Sequence, residues 1–324
     1  MSKPPARLML KPGQLRLIHE IAESGQLQLA AEAAGMTQPA ASRMLAETER
    51  QIGSPLFFRQ PKGMEPTEIG TAILRRARVI LREMGSMAAE LREMQDGHGG
   101  TVRIGAVTGP AVRYLVTAVR QVKEEAPRAE ITVDVLPSRD LLHHLLAGEM
   151  DFVLARILPE FDSTDFNILP LQDEKVALMV REKHPLARAP VVTLAELQSH
   201  EWIMQQRGAP IREATMAAFA ALGLSEPGNV VNSPSTLLTL AYLAQSDAIA
   251  PLSDEVAKLL IRKPLSAGFV TLPTAHDIRV SRYYLLDLKR RPLSPLAQQL
   301  RERLLAGGVA GDAPADVQAL LAGR

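Results

Sequence analysis

The segment best equipped for recognition chemistry runs from Thr37-Gln38-Pro39 through Ser42 and Arg43 to Glu47 and Arg50. Gln and Arg can each make two parallel hydrogen bonds to a purine edge, and Ser42 is short enough to reach a base or a phosphate. On a helix, Ala41, Leu45, Thr48 and Ile52 follow i, i+4, i+7, i+11 and form a core-facing stripe. Gln38, Ser42, Arg43, Glu47 and Arg50 then point elsewhere. Thr37 is placed to cap this helix, and Pro39 lies in its first turn, where a missing N–H costs little. The helix start adds free backbone donors and a partial positive charge toward a phosphate.

The elements that must hold this helix are short. Leu15, Ile18 and Ala22 are expected to share one helix face, and Leu29, Ala30, Ala33 and Ala34 the next. Ala34-Gly35-Met36 is a sharp turn between helices, so the pair reads as a helix-turn-helix whose second helix enters a major groove. Phe57-Phe58 then anchor a segment in which a turn at Pro61–Gly63 carries Arg59 and Lys62 outward, as a small β-wing would. From residue 67 to 95 one helix is predicted, with Thr67 as N-cap. Ile73, Ala77, Ile80, Met84, Met87, Leu91 and Met94 are spaced 4, 3, 4, 3, 4, 3, an a/d seam that predicts dimerisation. Asp96-Gly97-His98-Gly99-Gly100 ends it as a linker.

Beyond residue 101 short β-type runs alternate with helical runs, which predicts parallel sheets covered by helices. Strands are expected at 102–107, 131–136, 152–155, 176–180, 202–204, 248–251, 269–272 and 280–286. Helices are expected at 111–125, 138–146, 211–222, 234–245 and 295–305. A short helix is expected in the tail at 315–321.

The run AAEAAGMTQPAASRMLAETERQIGSPLFFR, followed by PTEIG, resembles the winged helix-turn-helix of LysR-type transcriptional regulators. The resemblance is strong over residues 12–95 and looser beyond, where GEMDFVLAR and AIAPLSDEVA carry it. Gln26 stands where the family has Ser, and Thr48 where it has an apolar residue. The resemblance implies an N-terminal all-α winged helix-turn-helix plus linker helix, and a C-terminal α/β periplasmic-binding-protein-like domain of two subdomains. The expected boundaries are 1–66 for DNA binding, 67–96 for the dimerisation helix, 97–306 for effector binding and 307–324 for the tail. Within the effector domain, subdomain I covers about 101–170 and 273–304, and subdomain II about 171–272. The expected partners are double-stranded DNA with an inverted repeat, a small-molecule effector, a second copy in a dimer or tetramer, and RNA polymerase.

Open α/β sheets bind ligands beyond the carboxyl ends of their strands. Thr108 (with Gly109 and Pro110), Ser138, Arg156, Arg207 (with Gly208) and Ser233 (with Asn232 and Ser235) occupy such places, with Arg156 suited to a ligand carboxylate or hydroxyl. These groups suit a sugar, a sugar acid or a small organic acid. A DNA-binding regulator whose C-terminal domain serves oligomerisation without an effector is the alternative. Asp151 reads as structural, and the adjacent His143 and His144 point about 100° apart on a helix and would not share a metal.

No nucleophile elbow, zincin, P-loop or dinucleotide fingerprint occurs, so no catalytic residue, metal or cofactor is expected. The chain has no cysteine. The amino-terminal residues lack a signal-peptide pattern and no 18-residue apolar run occurs, so a cytoplasmic place is expected. Net charge is +1 overall. Residues 1–95 hold 13 Lys+Arg against 10 Asp+Glu, and the remainder 24 against 26, so a basic reader precedes a slightly acidic sensor.

Overall fold

The computed structural model describes residues 9–60, 63–96 and 100–309. The chain divides into two compact units, residues 1–101 with 143–150, and residues 102–142 with 151–324.

In the first unit, α1 (Pro12–Ser24), α2 (Leu27–Ala33) and α3 (Gln38–Ile52) pack on one another. Leu17, Ile18, Ile21, Ala30, Ala41, Leu45, Leu56 and Phe57 form the core. Gly35, with φ +71°, turns α2 into α3 in a conformation costly for any residue bearing a Cβ. Leu29 and Ala33 do not join a buried face. Helix α2, gripped between α1 and α3, buries Ala30 and Ala31 instead. The polar Thr48 is explained by its surroundings: buried Gln14 donates to its hydroxyl at 3.0 Å, and that hydroxyl donates to the Met44 carbonyl at 2.7 Å.

Strands β1 (Phe57–Gln60) and β2 (Gly63–Pro66) pair antiparallel as the expected wing. Thr67 then caps α4 (Glu68–Asp96), its hydroxyl accepting the Gly70 N–H at 2.9 Å. Gly70 is pressed so close to the preceding turn that a Cβ would lie 2.0 Å from the Leu56 carbonyl oxygen. Gly70→Ala is therefore expected to cost about 3 kcal/mol. It should appear as an early helix-unwinding step in thermal circular dichroism; an unchanged melt would contradict the close approach.

The heptad seam is not one surface. Ile73 and Leu74 pack into the first unit's own core and Ala77 is buried, whereas Ile80, Met84, Met87 and Leu91 are exposed, Met87 by 56%. The Met94 side chain, Lys62, and the tail helix expected at 315–321 lie outside the described residues.

From residue 101 onward the elements form two lobes. The first holds β3 (Thr101–Ala106), α5 (Thr108–Pro110), a π-helical turn (Ala111–Leu115), α6 (Val116–Glu125), β4 (Glu130–Val135), α7 (Ser138–Leu146), β5 (Phe152–Ala155) and β6 (Phe166–Pro170). The second holds β7 (Glu174–Arg181), α8 (Leu194–Leu197), β8 (Trp202–Met204), α9 (Pro210–Ala221), β9 (Val230–Asn232), α10 (Thr236–Leu243), β10 (Ala250–Ser253), α11 (Asp254–Ile261), β11 (Phe269–Thr271) and β12 (Arg279–Val280). The chain then returns to the first lobe as β13 (Tyr284–Leu288) and α12 (Pro295–Leu304). The first sheet is ordered β4-β3-β5-β13-β6.

The sheets are mixed rather than parallel. Strand β3 runs parallel to β5, and β8 to β9, but β13 is antiparallel to β5 and β6, and β7 is antiparallel to β10, β11 and β12. The reason lies in the crossings: β13 enters the first sheet from the other lobe, at the opposite end to β5. The apolar run expected as one strand at 280–286 is cut by this return, β12 staying on β7 and β13 joining β5. Among the described residues no helix is long and apolar enough to cross a membrane.

Candidate functional site

Helix α3 separates its two tasks by face. Ala41, Leu45 and Thr48 are buried, while Thr37, Gln38, Pro39, Arg43 and Arg50 are exposed and Ser42 and Glu47 half-buried. Arg43 is exposed and has no ion pair among the described residues. Arg50 is bonded to Glu47 one turn earlier, which lowers the Glu47 pKa mainly through that hydrogen bond. Arg59 is exposed on β1. Glu49 was not foreseen as a positioning group, yet its carboxylate accepts the Leu56 N–H at 2.8 Å and ties α3 to the wing.

The five ligand candidates of the second unit divide sharply. Thr108 is exposed at the start of α5. Arg207 is 79% exposed and pairs loosely with Glu226 at 3.6 Å. Ser138 is buried and accepts the Arg156 N–H at 3.1 Å. Ser233 is buried and accepts the Ser235 N–H at 3.1 Å.

Arg156 is placed where the sequence put it, after β5, but it is not open to a ligand. Only 6% exposed, it bonds Glu174, donates to the Ser281 carbonyl at 2.8 Å, and lies over the Tyr283 ring at 5.2 Å. Arg156 was expected to meet a ligand carboxylate or hydroxyl; in the structure the carboxylate it meets is internal, Glu174 at the start of β7. Burial raises the Glu174 pKa, and Arg156 opposes that rise. Gly109 lies against the same carboxylate, where a Cβ would come within 2.6 Å of Oε1. Tyr283 is fully buried and its ionisation is pushed up, first by burial and then by Glu174 and Glu255.

A cavity of about 610 Å³ runs beside the two chain crossings, lined by Arg113, Gln172, Lys175, Glu255, Lys258 and Arg282 among others. Its charges face partners: Arg113 with Glu255 at 3.5 Å, Arg282 with Asp173 at 3.5 Å, and Lys258 with Asp254. None of the five ligand candidates lines it. Asp151 is structural as expected, accepting the Arg103 N–H at 2.8 Å. His143 is exposed, His144 bonds Glu149 at 2.6 Å, and no metal-holding cluster occurs among the described residues.

Residues 12–71 match the model of the bacterial regulatory helix-turn-helix of the lysR family, and residues 95–308 that of the LysR substrate binding domain. The chain belongs to the LysR family of transcriptional regulators. As a LysR regulator it is a DNA-binding protein and not an enzyme. It is 43% identical over 248 residues to the HTH-type transcriptional regulator GbpR of Rhizobium radiobacter, covering 76% of this chain and 82% of that one. Its fold is similar to full-length CbnR complexed with its target DNA, with a TM-score of 0.66 at 21% identity, over 92% of this chain and all of that one. The second domain is also similar to the CcmR regulatory domain of Synechocystis PCC6803 in complex with 2-PG, with a TM-score of 0.54 at 21% identity, over 65% of this chain and 98% of that one.

Proposed function

We propose that this LysR regulator reads an inverted-repeat DNA site as a dimer and changes its grip when a small effector binds its second domain. The observation that carries the reading is the division of α3 into a buried stripe and an exposed face bearing Gln38, Ser42 and Arg43, with Arg59 on the adjoining wing. The exposed apolar stripe Ile80, Met84, Met87 and Leu91 supports pairing through α4. Two copies then set two recognition helices one helical turn apart. The substrate-binding-domain match over residues 95–308 supports an effector. Effector control requires the ligand to prefer one lobe arrangement over another.

Arg43→Ala is expected to lower affinity for the operator by about 1–3 kcal/mol and to relax specificity at one base position. Fluorescence anisotropy on the promoter DNA and on a scrambled duplex checks it. Equal losses on both would assign Arg43 to a phosphate instead.

A further inference from the structure

Among the described residues two arginines are buried, and they differ in one respect. Arg156 has Glu174. Arg212, on the first turn of α9 and 4% exposed, has no carboxylate partner. Its Nη1 donates to the Gln205 carbonyl at 3.0 Å and to the Asn232 side-chain oxygen. Both acceptors are neutral, and both sit just past or at the carboxyl ends of the parallel pair β8 and β9.

The nearby acids are engaged elsewhere. Glu213 accepts the Gly208 N–H at 2.7 Å, and Glu226 lies 3.6 Å from exposed Arg207. The Nε and Nη2 edge of Arg212 makes no hydrogen bond to a described residue, and neither atom is sealed from solvent. The guanidinium itself is held at the carboxyl ends of β8 and β9, the place where open α/β sheets receive ligands. A guanidinium taken out of water without a counter-charge is costly, and its fork geometry matches an oxyanion.

We infer that Arg212 is the anchor for an oxyanion on the effector, so that the ligand is an acid, a carboxylate or a phosphate ester, rather than an uncharged sugar or alcohol. Asn232 and the Gln205 carbonyl hold the guanidinium in place, and the ligand completes its charge. This inference rests on the effector reading above and narrows it to a chemical class.

The test uses the full-length protein and matched probes: gluconate with glucose, galactonate with galactose, glycerate with glycerol, benzoate with benzyl alcohol, and glucose 6-phosphate and glycerol phosphate as the ester arm. Binding is read by isothermal calorimetry and by the melting shift of the Trp202 fluorescence. An acid is expected to bind at least about tenfold more tightly than its uncharged counterpart, the scale of one charge-assisted hydrogen bond. Asn232→Asp keeps the bond to Arg212 but supplies the missing charge internally. It should leave the unliganded melting temperature intact or raised and weaken the acid by about tenfold or more. Arg212→Gln should weaken the acid likewise. An uncharged member that binds as tightly as its acid, or acid binding indifferent to both substitutions, overturns the inference and leaves the effector reading standing. Silence from every probe overturns the oxyanion and counts against the effector reading as well.

Discussion

Arg156→Ala destabilises the effector-binding domain by about 3–5 kcal/mol, because it leaves a buried carboxylate without its partner. Glu174 is 3% exposed, and its pKa already stands above the ordinary value because burial outweighs the pull of Arg156. Removing the arginine raises it further. A carboxyl whose folded pKa lies above its unfolded one binds more protons when folded, so its destabilisation is absent below the unfolded value and grows above it. The deficit of the variant is therefore smallest near pH 4, about the ordinary glutamate pKa. It widens as the pH rises toward neutrality. Trp202 is the chain's single tryptophan and lies in the core of the second lobe, so its fluorescence in urea titrations follows this domain alone. Adding Glu174→Leu to Arg156→Met should recover most of the loss, since a buried pair replaced by apolar groups is often neutral. A stable, pH-indifferent Arg156→Ala protein that merely ignored its effector would instead restore Arg156 as a ligand contact.

The second large effect concerns α4. Ile80→Glu with Leu91→Glu is expected to yield monomers in sedimentation equilibrium. Both side chains are about half exposed in the single chain, so the helix itself should keep its melting behaviour. Affinity for a two-half-site operator should fall by about 10²–10⁴, the gain that linking two sites provides. Binding to one half-site should scarcely change. An intact dimer would remove α4 as the pairing surface.

The reading unit was largely legible because its signals are local. The periodicity of Ala41, Leu45 and Thr48, the cap at Thr67 and the glycine turn at Gly35 each involve residues a few positions apart. The second unit was legible as alternating elements, and the helix Ser138–Leu146 and strand Phe152–Ala155 fall at the expected bounds. Helix α11 was not among the expected helices although its start signal is local, with Ser253 as N-cap accepting the Val256 N–H and Asp254 and Glu255 in the first turn. What depends on distant pairing was not legible. Strands β6 and β9 are short and gain their identity only from neighbours. The neutralisation of Arg156 comes from a glutamate 18 residues away, across the lobe boundary. Arg212 was hidden by Glu213 beside it, which makes the pair look like a solvated helix surface.

Helix α4 joins the core of the first unit at Ile73 and Leu74, buries Ala77, and continues unbroken to the exposed stripe that ends near Leu91. On the pairing proposed above, reader and pairing surface would be parts of one continuous helix. From Ala77 to Leu91 that helix is about 21 Å long, and each added residue would advance it by about 1.5 Å and rotate it by about 100°. It would work as a caliper. One residue inserted near position 79 would turn the two reading heads out of phase with the DNA helix, whereas removing seven would keep the faces nearly aligned and bring the heads closer. If α4 is the pairing surface as proposed, the spacing of the half-sites would be set by the length of a single helix.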